Sequence, residues 1–220
     1  NFYYLEKKSF LRYKPFILQK ITKLQIERFE ALEELYREWN SKINVISRKD
    51  IGNLLGHHVL HSLAIARYLR TATGEEADFA HGSILDLGTG GGFPGIPLAI
   101  LYPGGRFTLC DSVGKKTIVA SAVAEALSLD NVEVVNARAE TLTGPFDYVV
   151  SRAVASLTDF YPWIKGRYRK GVLYLKGGDL AEETGAFMAR FRFPKGSVRT
   201  WKVDSWLGEE YFEGKFVIHF

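Results

Sequence analysis

The segment ILDLGTGGGFPGIP at 84–97 constrains the fold more than any other part of the chain. An apolar run leads there into five glycines within eight residues, Gly88, Gly90, Gly91, Gly92 and Gly95, and a helical pattern follows. A strand that turns sharply into a helix beneath a ligand needs positive φ angles and close backbone approach, which glycine supplies at least cost. Because so many glycines weaken a fold unless something approaches the backbone, we predict a ligand-binding turn here rather than a purely structural one.

From residue 83 onward, short apolar runs alternate with helical patterns. The predicted strands span 84–87, 106–111, 132–136, 146–151, 172–177, 198–203 and 215–220, and the predicted helices span 94–101, 115–128, 158–168 and 179–191. Such alternation is typical of an α/β fold whose mostly parallel sheet is covered by helices on both faces. The last two strands lack a helix between them and can pair antiparallel. We therefore expect a doubly wound, seven-stranded sheet with one antiparallel edge strand.

The N-terminal third is predicted to be helical. Thr22 and Gln25 form a capping-box signature, and helical periodicity continues behind them to Asn40. A second helix is predicted from about Asp50 toward Arg70, and the polar stretch 71–82 is predicted to be a linker. The expected organisation is an N-terminal extension (1–20), a helical unit (21–78) and a Rossmann-like domain (79–220).

Residues around the glycine turn favour S-adenosylmethionine over a dinucleotide. Asp86 places a carboxylate at the strand end, where it could bind the ammonium group of a methionine moiety directly or through water, and where a pyrophosphate would be repelled. Pro94 and Pro97 remove amide donors on which a pyrophosphate depends. Asp111 ends the second strand and is placed to accept from both ribose hydroxyls of either cofactor.

The third and fourth strands end in further candidates. Glu140 is placed to accept from the adenine amino group, with the backbone of Ala139 beside the ring. A first-turn or N-cap acid of a short helix fits the position of Glu140 equally well. Ser151 and Arg152 should face the cleft, because ligands of open α/β sheets lie outside the carboxyl ends of the strands. The alternative for Arg152 is an ordinary surface charge.

Positive charge is concentrated in the first third of the chain. Residues 1–70 contain 13 Lys and Arg against 7 Asp and Glu, whereas the remainder contains 16 against 18. A basic unit beside a near-neutral domain suits a partner that carries phosphates, although solvated helix faces show similar excesses. The candidate RNA contacts lie near predicted strand ends or in the N-terminal unit: Arg48, Lys49, Lys115, Lys116, Arg138, Arg152 and Lys176.

The remaining composition excludes several classes of protein. Cys110 is the only cysteine, which rules out an intrachain disulfide and a zinc site of paired cysteines and favours a reducing cytoplasm. No apolar run has the length of a membrane span or a signal-peptide core. His57, His58 and His61 invite a metal site, but no suitable third ligand is near the face that His57 and His61 share. We expect a cytoplasmic monomer without a metal and without membrane contact.

Seven motifs, in order, resemble those of the bacterial 16S rRNA guanine-N7 methyltransferases, also called glucose-inhibited division protein B. They are WNSKINVIS (39–47), HHVLHSLAIA (57–66), ILDLGTGGGFPGIPLAI (84–100), FTLCDSVGKK (107–116), NARAE (136–140), FDYVVSRAVASL (146–157) and LYLKGG (173–178). The resemblance covers about residues 22–190 and implies a class I, Rossmann-like methyltransferase. Its cofactor would be S-adenosylmethionine, released as S-adenosylhomocysteine. Its partner would be 16S rRNA or the small ribosomal subunit.

The resemblance also assigns residues. It implies that the methyl donor contacts Gly88, Phe93, Ala139, Glu140 and Arg152, and that the target is N7 of one guanosine in the decoding-region loop. Together with the residues inferred above, the candidate cofactor set is Asp86, Gly88, Gly90, Phe93, Asp111, Ala139, Glu140 and Arg152. The chain departs from the family pattern twice. His61 stands where the family has an aspartate, and Lys116 replaces an arginine, which keeps the charge but loses the bidentate fork.

Guanine N7 carries a lone pair and no proton, so its methylation needs no general base and the sequence predicts no certain catalytic side chain. The enzyme orients N7, excludes water and tolerates the charge that moves to the purine. SRAVAS (151–156) replaces the Asn/Asp-Pro-Pro-Tyr/Phe motif typical of exocyclic amine methylation, and Cys110 lies within a strand rather than where cytosine C5 chemistry needs a thiol. Two alternatives stay open from the residues: an NAD(P)-dependent oxidoreductase using the same loop, and a non-catalytic RNA-binding module.

Overall fold

The computed structural model describes residues 10–17 and 20–220, so residues 1–9, 18 and 19 of the predicted N-terminal extension lie outside the described residues. The α-helices are α1 (Lys23–Lys42), α2 (His61–Tyr68), α3 (Glu76–Ala80), α4 (Gly95–Leu101), α5 (Gly114–Ala126), α6 (Leu157–Ile164) and α7 (Leu180–Phe191). Single 3₁₀ segments span Phe10–Phe16, Ile51–Asn53, Ala139–Thr141 and Glu210–Phe212, and π-helical turns span Leu54–Leu60 and Leu69–Thr73.

Seven strands form one sheet and confirm the predicted α/β fold class. They are β1 (Ser83–Leu87), β2 (Arg106–Asp111), β3 (Val132–Asn136), β4 (Phe146–Arg152), β5 (Tyr168–Gly177), β6 (Arg199–Lys202) and β7 (Lys215–His219), in the order β3-β2-β1-β4-β5-β7-β6. The pairs from β3 to β5 are parallel. The bounds agree with the predicted strands within two residues except at β5, which begins four residues early because its pairing with β4 extends back to Tyr168.

The single antiparallel strand is not at the edge, where the sequence predicts it. Strand β7 lies between β5 and β6 and is antiparallel to both, so β6, which is parallel to β5, forms the edge. Helix α7 carries the chain from β5 past one strand position to β6. Residues 203–214 then form a short return without an α-helix, and such a connection permits an antiparallel pair.

Helix α1 begins where the capping signature predicts. The Thr22 hydroxyl accepts from the Gln25 amide at 3.2 Å, and the Gln25 side chain accepts from the Thr22 amide at 2.9 Å. Phe29, Leu32 and Tyr36 are fully buried along one face. This apolar stripe packs the helix onto the rest of the protein.

Gln25 has a second role at the other end of its side chain. Its amide nitrogen donates to the carbonyls of Ile100 and Leu101 at 2.9 and 3.0 Å. These carbonyls belong to the last turn of α4, where backbone acceptors have no partner within the helix. The N-terminal helix therefore caps the helix that follows the glycine turn.

The second predicted helix is a continuous helical stretch of mixed type over Ile51–Thr73. It ends at Gly74, whose φ of 76° is a left-handed conformation that terminates helices. The sequence predicts a linker at 71–82, but the structure shows that this segment is packed against the rest of the protein. It forms α3, and Phe79 is fully buried with ring centroids 5.6, 6.3 and 5.2 Å from Tyr102, Phe107 and Tyr148.

The hydrophobic core has two parts, one on each face of the sheet. The larger part is continuous from the N-terminal helices through α4 and α5 to the sheet. The smaller part lies beneath α6 and α7. The N-terminal helices thus share a core with the sheet. Within the described ranges, no helix is long and apolar enough to cross a bilayer.

Phe79→Ala should destabilise the protein by about 3 kcal/mol or more, because it empties a buried aromatic site. Urea unfolding followed by circular dichroism measures this change in the free energy of unfolding. Leu24→Ala is the control, since Leu24 is 54% exposed, and it should change stability by less than about 0.5 kcal/mol. A Phe79→Ala variant as stable as the control would mean that 71–82 is a linker after all.

Candidate active site

A cleft of about 610 Å³ opens above the carboxyl ends of four neighbouring strands. In spatial order, β3 is followed there by Ala139 and Glu140, β2 contributes Asp111, β1 leads to Gly88, and β4 ends in Arg152. Its size is within the range of small-molecule sites. The structure therefore brings together five of the eight predicted cofactor residues, whereas Asp86, Gly90 and Phe93 lie outside the lining.

Two glycines of the loop, Gly88 and Gly90, have φ angles of 71° and 58°, which only glycine adopts without strain. Gly88 lines the cleft, and a Cβ there would lie 2.4 Å from a methyl of Val154, a cleft-lining side chain that is 39% exposed. Gly90 lies outside the lining, and a Cβ there would meet nothing within 4 Å. The backbone at Gly88 therefore borders the cleft, as expected of a loop that admits a ligand.

The other three glycines are required by the protein's own side chains. A Cβ on Gly91 would lie 2.8 Å from Val45, one on Gly92 would lie 2.9 Å from the Tyr36 hydroxyl, and one on Gly95 would lie 2.6 Å from Asp86. The prediction that ligand approach explains the whole glycine cluster is therefore wrong for these three. The loop lies between a ligand face and a protein face, and glycine is needed on both.

Asp86 is fully buried beneath the loop rather than exposed in the cleft. Its Oδ2 atom accepts from the Thr89 hydroxyl at 2.6 Å and from the Gly95 amide at 2.7 Å. Its Oδ1 atom is buried without a hydrogen-bond partner in the described structure. Burial raises the pKa of this carboxyl to about 7, against the lowering effect of the two hydrogen bonds and Arg152.

Asp111 is fixed by the backbone on both sides of its carboxylate. Oδ2 accepts from the Gly90 amide and Oδ1 from the Val113 amide, each at 2.9 Å. The bond from Gly90 ties the glycine loop to the end of β2. Each oxygen keeps a further lone pair, so the carboxylate can accept from a diol in the cleft while it holds the loop.

The position of Glu140 fits both of the interpretations that the sequence left open. It lies in the 3₁₀ turn Ala139–Thr141 as a first-turn acid, and its exposed side chain also lines the cleft. Arg167 fixes the turn by donating to the Leu142 carbonyl and, at 2.8 Å, to the Glu140 carbonyl. These bonds use backbone carbonyls, so they fix the turn without engaging the Glu140 carboxylate.

Arg152 is half-buried at the end of β4, with its guanidinium 5.1 Å from the centre of the Phe93 ring. It forms no hydrogen bond or ion pair with the part of the chain that the structure describes. Burial lowers its pKa, but a guanidinium stays charged in proteins. Five donors at the cleft wall thus lack an acceptor. The neighbouring Ser151 is fully buried and donates to the Leu87 carbonyl, so the prediction that it faces the cleft is wrong.

Phe93 is buried next to the cleft rather than in it. Its ring lies 4.8 Å from that of Tyr36 and 5.6 Å from that of His58, and only 3% of the residue is exposed. The Arg152 guanidinium packs over this ring, on the side of the cleft.

Two of the three histidines, His57 and His58, share the carboxylate of Asp50. His57 Nδ1 and His58 Nε2 lie 2.6 and 2.7 Å from the two oxygens of Asp50. Burial and the charge of Arg152 lower the pKa of His58 to about 4, so its imidazole is neutral at pH 7. Burial likewise lowers the pKa of His61, which packs edge-on against Tyr211 and Phe212. No group of three or more potential ligands among the described residues is arranged for a metal ion.

The predicted RNA contacts separate into three groups. Lys116, Arg138 and Arg152 line the cleft, whereas Arg48, Lys49 and Lys115 are exposed elsewhere. Lys176 does not belong with them, because its ammonium lies 2.6 Å from Glu183 and donates to the Ala155 carbonyl. A carboxylate on the following helix already satisfies that charge.

Trp163 is a cleft residue that the sequence analysis missed. It lies on α6 and is half-exposed where it lines the cleft. Its ring packs edge-on against Phe160 at 6.1 Å. Helical periodicity assigns aromatic residues of this kind to the core, and no local signal marks the one that faces a ligand.

Comparison with known proteins gives one family. The model described as rRNA small subunit methyltransferase G matches residues 25–204. The ribosomal RNA small subunit methyltransferase G of Flavobacterium psychrophilum is 49% identical over 90% of this chain and 92% of its own length. The protein of the same name from Bacteroides fragilis is 47% identical over 96% of this chain and 98% of its own length.

Solved structures share the fold at low sequence identity. Magnesium protoporphyrin IX methyltransferase from Synechocystis, solved with bound S-adenosylmethionine, gives a TM-score of 0.59 at 12% identity over 87% of this chain and 95% of that one. The 16S rRNA N2 G1207 methyltransferase from T. thermophilus, in complex with AdoMet and guanosine, gives 0.54 at 21% identity over 72% and 42%. At these identities the likeness supports the Rossmann-like methyltransferase fold.

Asp86→Asn should make the ligand-free protein more stable, with a larger gain at pH 8 than at pH 5. The folded-state pKa of about 7 lies above the ordinary 3.8, so the stability linked to this group is complete below its ordinary pKa and is lost progressively as the pH rises from there through 7. The gain at pH 8 should be on the order of a few kcal/mol. Urea titrations at both pH values measure it, and an equal effect of the substitution at pH 5 and pH 8 would contradict this explanation.

Gly88→Asp should weaken S-adenosylhomocysteine binding by at least about 100-fold, because it brings bulk and negative charge into the cleft beside Asp111. Calorimetric titration measures the affinity. Gly166→Asp is the matched control, since Gly166 has φ of 77° and open space around it at the other end of the sheet. Both variants carry the backbone strain of a positive φ, and wild-type affinity in a folded Gly88→Asp protein would contradict the placement of the ligand.

Proposed function

The chain belongs to the rRNA small subunit methyltransferase G family, and from this membership and the cleft geometry we propose that it methylates N7 of one guanosine in 16S rRNA. The methyl donor is S-adenosylmethionine. Membership supports neither an NAD(P)-dependent oxidoreductase nor a non-catalytic RNA-binding module. The finer assignments, N7 and the decoding-region loop, are part of the proposal.

The order of groups along the sheet is the observation that carries the proposal. Arg152 and Gly88 lie at the ends of β4 and β1, Asp111 at the end of β2, and Glu140 after β3. S-adenosylmethionine has its methionine, ribose and adenine in the same linear order. The unpaired guanidinium of Arg152 suits the carboxylate of the methionine part, Asp111 suits the ribose diol, and Glu140 suits the adenine amino group.

Asp86 contributes to this site from beneath the loop. Its buried, unpartnered Oδ1 and raised pKa indicate a carboxylate that lacks a compensating cation when no ligand is bound. The ammonium group of the methionine part is such a cation. Because Asp86 has no exposed surface, we propose that it acts through a bridging water or through the field at the loop.

When bound, the cofactor supplies a methyl group on an electrophilic sulfonium. The protein orients the guanine so that N7 is in line with that methyl group and keeps water out. A thiol-dependent reaction at a pyrimidine carbon lacks support, because Cys110 is fully buried and burial raises the pKa of its thiol to about 11. N7 methylation requires no deprotonated side chain, and the cleft fits that requirement.

We assign the RNA-facing surface to Arg48, Lys49, Lys115, Lys116 and Arg138, without Lys176. Four of these are exposed and Lys116 is half-exposed, so the phosphate backbone can reach them. We also propose that the helical unit at 21–78 grips RNA, while the domain at 79–220 holds the methyl donor. A cytoplasmic monomer acting on 16S rRNA or the small ribosomal subunit completes the proposal.

The decisive experiment incubates the protein with methyl-labelled S-adenosylmethionine and either 16S rRNA or small subunits that lack the modification. We expect incorporation at one guanosine, mapped by mass spectrometry of nuclease fragments and identified as 7-methylguanosine. Gly88→Asp serves as the inactive control. Label on an exocyclic amine, on a pyrimidine or on neither substrate would contradict the proposed reaction.

A further inference from the structure

The turn that follows α1 is held rigidly by one side chain. We name residues 43–50 the strap. The Asn40 side chain accepts from the amides of Val45 and Ile46 at 2.8 and 2.9 Å and donates to the Ile46 carbonyl at 2.8 Å. Asn40 is buried, and Ile46 is 3% exposed within the core. The strap is therefore an ordered element rather than a loose loop.

One end of the strap rests on the glycine loop. Val45 occupies the space that a side chain on Gly91 would need, with methyl and Cβ atoms 2.8 and 2.9 Å from the position of that missing Cβ. Tyr36 holds the same residue from α1 by donating to the Gly91 carbonyl at 2.6 Å. A shift of the strap at Val45 would therefore reach the backbone that borders the cofactor cleft.

The other end of the strap reaches the cleft through a histidine. Asp50 holds His58 at 2.7 Å, and the His58 ring contacts Phe93, over which Arg152 lies at 5.1 Å. Val45 and Asp50 thus connect the strap to the two walls of the methionine end of the cleft, the glycine loop and the end of β4.

Between these two anchors the strap presents two adjacent cations. Arg48 and Lys49 are exposed, and the side chain of neither has an ion-pair or hydrogen-bond partner among residues 10–17 and 20–220. Other cations nearby are neutralised, for example Lys42 by Glu38 at 2.7 Å. Two unpaired cations on an ordered turn are suited to contact phosphate groups.

We propose that the strap docks the RNA phosphate backbone and, through its two anchors, sets the distance between the docked RNA and the methyl donor. This inference rests on the proposed function and assigns separate tasks within it. Arg48 and Lys49 supply affinity for RNA. Val45 is a positioning residue, which acts through Gly91 on the loop and leaves RNA affinity to the cations.

The cations are tested by the Arg48→Ala/Lys49→Ala double variant. Its KM for RNA should rise by about tenfold or more, with a smaller effect on kcat, and the slope of log affinity against log salt should fall by about two. Lys195→Ala/Lys202→Ala is the matched control, because it removes the same charge from exposed positions next to the β6 edge of the sheet. Equal behaviour of the two double variants would overturn the docking role.

The anchor is tested by Val45→Ala. Its kcat should fall by about tenfold to 100-fold because the reacting atoms lose their register, while its affinity for RNA, measured by filter binding, stays within about twofold of wild type. Val45→Thr keeps the branched shape and should restore most of kcat. A parallel loss of RNA affinity, or an unchanged kcat in folded Val45→Ala, would overturn the positioning role. If Val45→Ala does not fold, a large loss of kcat in folded Val45→Thr would overturn it too.

All variants are assayed on whichever of 16S rRNA or small subunits the wild type methylates. Failure of the wild type to methylate either one contradicts the proposed function. If the wild type methylates normally and the strap variants have the same KM and kcat as the wild type, only the inference about the strap is contradicted. Calorimetric titration with S-adenosylhomocysteine confirms in each case that the cofactor site is intact.

Discussion

The hydrogen bond from Tyr36 to the Gly91 carbonyl is the contact on which the site depends. It joins the N-terminal helix to the centre of the glycine loop, 2.6 Å from oxygen to oxygen, in a fully buried environment. Burial raises the pKa of the Tyr36 hydroxyl far above its ordinary value, so the group remains a donor at every accessible pH. With Gln25 capping α4 and Val45 filling the space beside Gly91, the N-terminal unit fixes the loop, its helix and its protein-facing side.

This arrangement leaves the ligand face of the loop free but electrostatically incomplete. Asp86 is buried with one unpartnered oxygen, and Arg152 has no acceptor. Asp86 costs stability in the ligand-free protein, since buried polar groups are normally hydrogen-bonded, whereas the half-buried Arg152 lines the cleft within reach of solvent. A zwitterionic methionine moiety supplies a cation and an anion to the same end of the cleft. The cost of the Asp86 carboxylate and the free donors of Arg152 are therefore consistent with a site prepared for that ligand.

Sequence reasoning identified the fold because strand and helix alternation and the capping box at Thr22 are local signals. It also identified the cleft residues that follow strand ends, such as Asp111 and Glu140, because parallel strands bring their carboxyl ends together. The burial of a side chain and the identity of its contact partners, by contrast, could not be predicted from local sequence. The depth of Asp86, the ion pair of Lys176 and the reason for Gly91, Gly92 and Gly95 depend on side chains far away in sequence. The place of β7 within the sheet depends on the crossover through α7, which takes the chain from β5 to β6 and leaves a strand position between them.

A crystal structure of the complex with S-adenosylhomocysteine would show whether a loop fixed by the N-terminal unit displays the methyl donor along four strand ends. We expect the methionine part between Gly88 and Arg152, the ribose diol on Asp111 and the adenine beside Ala139 and Glu140. Tyr36 and Val45 should keep their contacts with Gly91. A ligand bound in the reverse direction, or a loop that moves away from Tyr36 to admit it, would be incompatible with this arrangement.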